Sequence, residues 1–119
     1  LAQVAGNTSE AYAQSQNALA VLYQTLGNYA EAEPRLKEAI RIYEQKNNSR
    51  EVSTAKQNLA TLYQIQQKYS EAETLLTEAL QLDERNLGKR HPQYGVTLQN
   101  LATLYQKKKD FGKASELLE

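Results

Sequence analysis

The sequence predicts an all-α protein built of antiparallel helix pairs stacked in series, and three observations carry that reading. "LAVLYQ" at residues 19–24 returns as "LATLYQ" at 59–64 and again at 101–106. The spacings of 40 and 42 residues are those of a repeat architecture. Downstream of each copy an aromatic opens a stretch of small and large apolar residues at helical spacing: "NYAEAEPRLKEAI" from Asn28, "KYSEAETLLTEAL" from Lys68 and "DFGKASELLE" from Asp110. Each unit therefore reads as two helices, neither of which can bury its apolar face without a neighbour.

Taken in order, residues 1–6 read as the end of a preceding second helix, because Leu1 stands where Arg41 and Gln81 stand. The first unit runs from about 8 to 46. "NTSE" at 7–10 puts a capping Asn three residues before a Glu. Asn28 stands where it can cap the second helix. On that helix Glu31 precedes Arg35, and Glu33 precedes Lys37, by one helical turn; such pairs contribute about 0.2–0.5 kcal/mol each.

The second unit runs from about 49 to 87 and is opened by "NSRE" at 48–51, with the same Asn-to-Glu spacing. Leu59, Leu62, Tyr63 and Gln66 line one stripe of its first helix around Ala60. In its second helix Ala72, Leu75, Leu76, Ala79, Leu80 and Leu82 make a broad apolar face, with Glu71, Glu73, Thr77 and Glu78 opposite. The third unit runs from about 91 to 119 and is truncated inside its second helix, which Asp110 can cap. Before it, Gly88 suits a helix end, and His91 followed by Pro92 suits a helix start, where a missing N–H costs nothing.

Composition narrows the function. Fourteen basic and fourteen acidic residues cancel, so no excess positive charge draws nucleic acid or an anionic membrane. No apolar run approaches the roughly 20 residues of a spanning helix. With no cysteine, thiolate chemistry and cysteine-ligated metals are excluded; localisation stays open, with the cytoplasm favoured. The chain also holds no methionine and reads as an excerpt of a longer one.

The residues resemble tetratricopeptide repeats, whose Leu-small-x-x-Tyr followed by Ala-x-x-x-large pattern is met in each copy. Leu19, Ala20 and Tyr23 go with Ala32 and Leu36; Leu59, Ala60 and Tyr63 with Ala72 and Leu76; Leu101, Ala102 and Tyr105 with Ala114 and Leu118. Alanine replaces the usual glycine, Gln16, Lys56 and Leu98 stand at the consensus tryptophan, and the closing proline is missing. The connector residues Leu87, Gly88, His91 and Pro92, with Gln99 and Asn100 beyond, are similar to the longer repeats of the kinesin light chain type. The first connector lacks both the Leu-Gly and His-Pro pairs and is two residues shorter. The resemblance implies a right-handed α-solenoid used as a protein-interaction scaffold, without enzymatic activity or cofactor.

His91, the single histidine, lacks a nucleophile, a second histidine or a carboxylate pair to work with, so it reads as a connector, and neither a catalytic nor a metal site is expected. Tyr23, Tyr63 and Tyr105, like Tyr29, Tyr69 and Phe111, recur at equivalent positions and read as inter-helix packing rather than a ligand cage. Lys107, Lys108 and Lys109 close a helix, where positive charge suits the dipole, and make a solvated turn.

What remains is the inner face of the first helices, which in this family lines the concave groove. It holds Gln14, Asn17, Val21 and Gln24; Thr54, Gln57, Asn58, Thr61 and Gln64; and Val96, Gln99, Asn100, Thr103 and Gln106. Carboxylate-clamping members of the family carry Lys or Arg on this face. The neutral amides here fit an extended internal peptide backbone instead. The expected partner is a protein or peptide segment. The alternative is a spacer, or an array that self-associates through exposed helix ends such as the one bearing Leu117 and Leu118. An enzyme is a distant third.

Overall fold

A computed structural model describes residues 9–108. Five helices follow one another: α1 (Glu10–Thr25), α2 (Tyr29–Gln45), α3 (Ser49–Ile65), α4 (Tyr69–Asn86) and α5 (Pro92–Lys107). No strand occurs among the described residues. Each helix packs on its neighbours in sequence, and α1 also touches α3. The expected helix after Asp110, the one before residue 7, and the packing of Phe111, Ala114, Leu117 and Leu118 lie outside the described residues.

Local chemistry sets the helix ends. Ser9 caps α1 by accepting from the Tyr12 N–H at 3.1 Å, taking the place expected of Asn7. Asn48 caps α3 by accepting from the Glu51 N–H at 3.3 Å. Asn28 and Lys68 occupy the corresponding places before α2 and α4, yet neither side chain makes a cap bond. Here the connecting turn is held by backbone instead. Asn28 N–H reaches Tyr23 O at 2.8 Å and Gly27 N–H reaches Gln24 O at 3.0 Å, with the same paired bonds at Asn47–Asn48 and at Gln67–Lys68. That turn needs a left-handed residue, and Gly27, Asn47 and Gln67 supply it at φ 82, 56 and 63°.

The core is a seam of alanines and leucines. Ala13, Ala20, Ala32, Ala39, Ala60, Ala72 and Ala102 are wholly buried, and Leu36, Ile42, Leu62, Leu76 and Leu104 fill the space their small side chains leave between helices. Tyr63 and Tyr105 are buried as expected, and each adds a bond across to the preceding second helix: Tyr63 Oη donates to Glu33 at 2.8 Å and Tyr105 Oη to Glu73 at 2.6 Å. Glu73, placed on the solvent face by its spacing, thus serves as an acceptor, and it also takes Lys108 Nζ at 2.8 Å.

The connector to α5 is tied by a buried carboxylate. Asp83, 1% exposed, accepts from Thr97 Oγ1 at 2.5 Å and from Gln93 Nε2 at 3.3 Å. Its own carbonyl receives the N–H groups of Leu87 and Gly88. Gly88, at φ 87°, ends the turn as its position predicts.

Candidate functional site

The fourteen inner-face residues all keep solvent exposure; none is buried. On α3 they recur every three or four residues, so Thr54, Gln57, Asn58 and Thr61 share a stripe. Across from it stands the stripe of α5, and between the two runs a hollow of about 310 Å³ lined by Thr54, Gln57, Asn58, Thr61, Gln93, Val96 and Asn100. Gln14, Asn17, Val21, Gln24, Gln64, Gln99, Thr103 and Gln106 lie outside that lining.

The amides are locked to one another from repeat to repeat. Asn58 Nδ2 donates to Asn17 Oδ1 at 3.0 Å, and one unit further Asn100 Nδ2 donates to Gln57 Oε1 at 2.7 Å. Gln57 Nε2 in turn donates to Ser53 Oγ at 3.3 Å. Since an amide offers two donors and two lone pairs, Asn58 and Asn100 each retain one N–H and a carbonyl oxygen after these bonds. The hydroxyls of Thr54 and Thr61 donate back to Arg50 O and Gln57 O, so they offer a ligand no donor. Val96, 57% exposed, supplies the hollow's bare apolar patch.

Cations stand at both ends of this face, where the sequence reading did not place them. Lys107, exposed at the helix end as expected, also reaches Gln64 Oε1 with its Nζ at 3.1 Å. Lys108 lies over the Tyr105 ring, 5.7 Å from its centre. At the other end Arg50 Nη2 stands 3.0 Å from His91 Nε2. Spacing was the available signal, since Arg50 precedes Thr54 by one turn. His91 caps α5, its Nδ1 accepting from the Gln93 N–H at 3.1 Å. A neutral imidazole has one lone pair, so the cap and Arg50 compete for it.

A second hollow, about 330 Å³, is lined by Glu44, Asn47, Ser49, Val52, Lys56, Glu78, Gln81, Leu82 and Arg85. Of its two cations, Lys56 is paired with Glu78 at 2.9 Å and Glu44 at 3.8 Å. Among the described residues no cluster of histidine and carboxylates is placed to hold a metal ion, and no helix is long and apolar enough to cross a membrane.

Helix pairs joined by tight turns, with alanines at each crossing and polar first-helix faces side by side, define a class of repeat scaffold. The family model for the tetratricopeptide repeat matches residues 1–45 and 51–119, and the chain belongs to that family. Its repeats are of the kinesin light chain type. The crystal structure of BtubC (BKLC) from P. vanneervenii superposes with a TM-score of 0.84 at 24% identity, over 93% of this chain and 45% of that one. A kinesin light chain-type protein of Podosopora anserina with nearly identical TPR-like repeats gives 0.77 at 29% identity, over 89% of this chain and 51% of that one. A point-substituted form of that protein gives 0.84 at 25% identity, over 94% and 54%. The chain thus spans about half the length of these solved relatives. No curated protein matches it. Repeats of this family generally mediate protein–protein interaction.

Proposed function

We propose that the chain is a protein-interaction module that takes an extended, internal peptide segment along the groove between its first helices, in repeat units of about 8–46, 49–87 and 91–119. The observation that supports this is the amide ladder. Asn58 and Asn100 are held in place by Asn17 and Gln57, so the donors and acceptors they retain are oriented before any ligand arrives, which lowers the entropy cost of binding. A peptide backbone presents alternating N–H and C=O groups and matches such a row. Val96 gives one side chain of the segment an apolar seat. The chemistry is recognition, not catalysis.

The test is calorimetric titration of a partner recovered by pull-down, at low and high salt, against wild type and the Asn58→Ala, Asn100→Ala double variant. Neutral hydrogen bonds contribute about 0.5–1.5 kcal/mol net each, so the pair weakens binding by about 1–3 kcal/mol. Salt changes the affinity little, because neutral amides release no counterions. Indifference to the double variant, or a steep salt dependence, would move the site to the charged faces.

A further inference from the structure

One side chain on the wall of the hollow between α3 and α5 is governed from behind. Gln93, in the first turn of α5, lines the hollow. Its Nε2 donates to Asp83 Oδ1 at 3.3 Å, and Asp83 is 1% exposed. The other carboxylate oxygen, Oδ2, accepts from Thr97 Oγ1 at 2.5 Å, and Thr97 is wholly buried. A buried carboxylate thus stands directly behind a polar group of the groove.

A carboxylate accepts hydrogen bonds and donates none, whereas a glutamine amide has one donating end and one accepting end. Beside Asp83 only the donating end fits. Turning the amide over would set two acceptors against each other next to a buried charge, and a buried charge short of donors is costly. Gln93 is therefore held with Nε2 inward, and its carbonyl oxygen, Oε1, is the polar atom left for the hollow. That oxygen has no partner among the described residues. Asn58 and Asn100 are less constrained. Each is bonded to another neutral amide, Asn17 or Gln57, and two neutral amides can exchange donor and acceptor roles. The joint between the first two units lacks the device altogether: at the positions of Asp83, Thr97 and Gln93 stand Tyr43, Ala55 and Glu51. Tyr43 and Ala55 are buried there, at 5% and 1% exposure, and offer Glu51 no carboxylate to face.

We infer that Asp83 is a positioning residue for the groove: through Gln93 it fixes a hydrogen-bond acceptor on the α5 wall, which takes an N–H or O–H donor of the bound segment and turns away a carboxylate. The inference rests on the proposed function of the groove and adds a preference to it. An extended segment carries a backbone N–H at nearly every residue, so it brings the donor without needing a particular side chain. A carboxylate placed at the same point meets the lone pairs of Oε1 with the Asp83 charge behind them.

The experiment is nuclear magnetic resonance on the isotope-labelled 119-residue chain, titrated with N-methylacetamide, which has one N–H, and with N,N-dimethylacetamide, which has none. The side-chain carbonyl carbon of Gln93 shifts with the first and stays with the second. Asp83→Asn keeps the shape but offers a donor as well as an acceptor, so it no longer dictates which way Gln93 turns. It moves the Gln93 side-chain NH2 signals and loses the discrimination between the two amides, while the side-chain signals of Asn100 and the helical circular dichroism stay as in the wild type. Equal response to both amides in the wild type, discrimination kept in Asp83→Asn, or Asn100 signals that move as far as those of Gln93, overturns the inference and leaves the groove standing. If Asp83→Asn moves the Gln93 NH2 signals but neither amide perturbs the wild-type carbonyl carbon, the groove's proposed function falls, and the inference with it.

Discussion

The Tyr63 hydroxyl donates to Glu33 Oε2 at 2.8 Å, across the joint between two helix pairs. Glu33 at the same time holds Lys37 Nζ at 3.0 Å, so one carboxylate fastens its own helix surface and the next repeat. A bond to a charged acceptor is worth about 1.5–3 kcal/mol. Tyr63→Phe, which keeps the ring packed, is expected to lower stability by about 1–2 kcal/mol in urea denaturation, since the half-exposed carboxylate regains water. An unchanged midpoint shows that the bond contributes nothing.

The same pair sets a pH dependence. Lys37 first and Tyr63 second hold the Glu33 carboxyl below its usual range, against the opposing effect of burial. A depressed folded-state value means that the stabilisation is complete above the unfolded value of about 4.3 and is lost as pH falls through the lower, folded one. Acid unfolding of the wild type therefore starts below about pH 4.3, and the Tyr63→Phe chain loses less stability over that interval. A parallel loss in both chains would place the acid sensitivity elsewhere.

Ala72 is wholly buried where α4 meets its neighbours. Ala72→Leu forces several heavy atoms into a closed crossing and is expected to cost about 1–3 kcal/mol. If thermal melting does not move, Ala72 is not at a crossing.

Gln67 holds the left-handed turn after α3 at φ 63°, where the counterpart after α1 is Gly27 at φ 82°. An L side chain raises the energy of that conformation by about 1–2 kcal/mol, and glycine offsets part of its own advantage through its freer unfolded chain. Gln67→Gly is expected to stabilise by about 0.5–1 kcal/mol, read from the denaturant midpoint. Destabilisation would mean that the side chain contributes more than the turn costs.

The repeat made most of this legible in advance. Three copies of one hexapeptide placed the first helices, and Asn48, Gly88 and the His91–Pro92 pair marked ends where the structure has them, because caps and left-handed turns depend on residues a few positions apart. Asn28 makes no cap bond, although Asn48, whose turn carries the same paired backbone bonds, does. The rungs from Asn58 to Asn17 and from Asn100 to Gln57 were not read, although their partners lie about one period apart. Side-chain reach between helices follows from how far each repeat is displaced from the last, which periodicity alone does not give. Asp83 was missed for a related reason. A charge on a helix reads as solvent-facing until the neighbouring helix, with Thr97 on it, is in place.

Because the main helix contacts join sequence neighbours, with only narrow side-chain bridges from α1 to α3 and from α3 to α5, few contacts wait for distant parts of the chain to find each other. Loop-closure entropy stays small, and folding is correspondingly quick. The same neighbourliness lets the rim loosen while the middle stays shut. Amide protons of α3, gripped by α2 on one side and α4 on the other, should exchange with solvent slowest and those of α1 fastest. The molecule then behaves as a row of coupled latches, each opened in turn, and not as one lock.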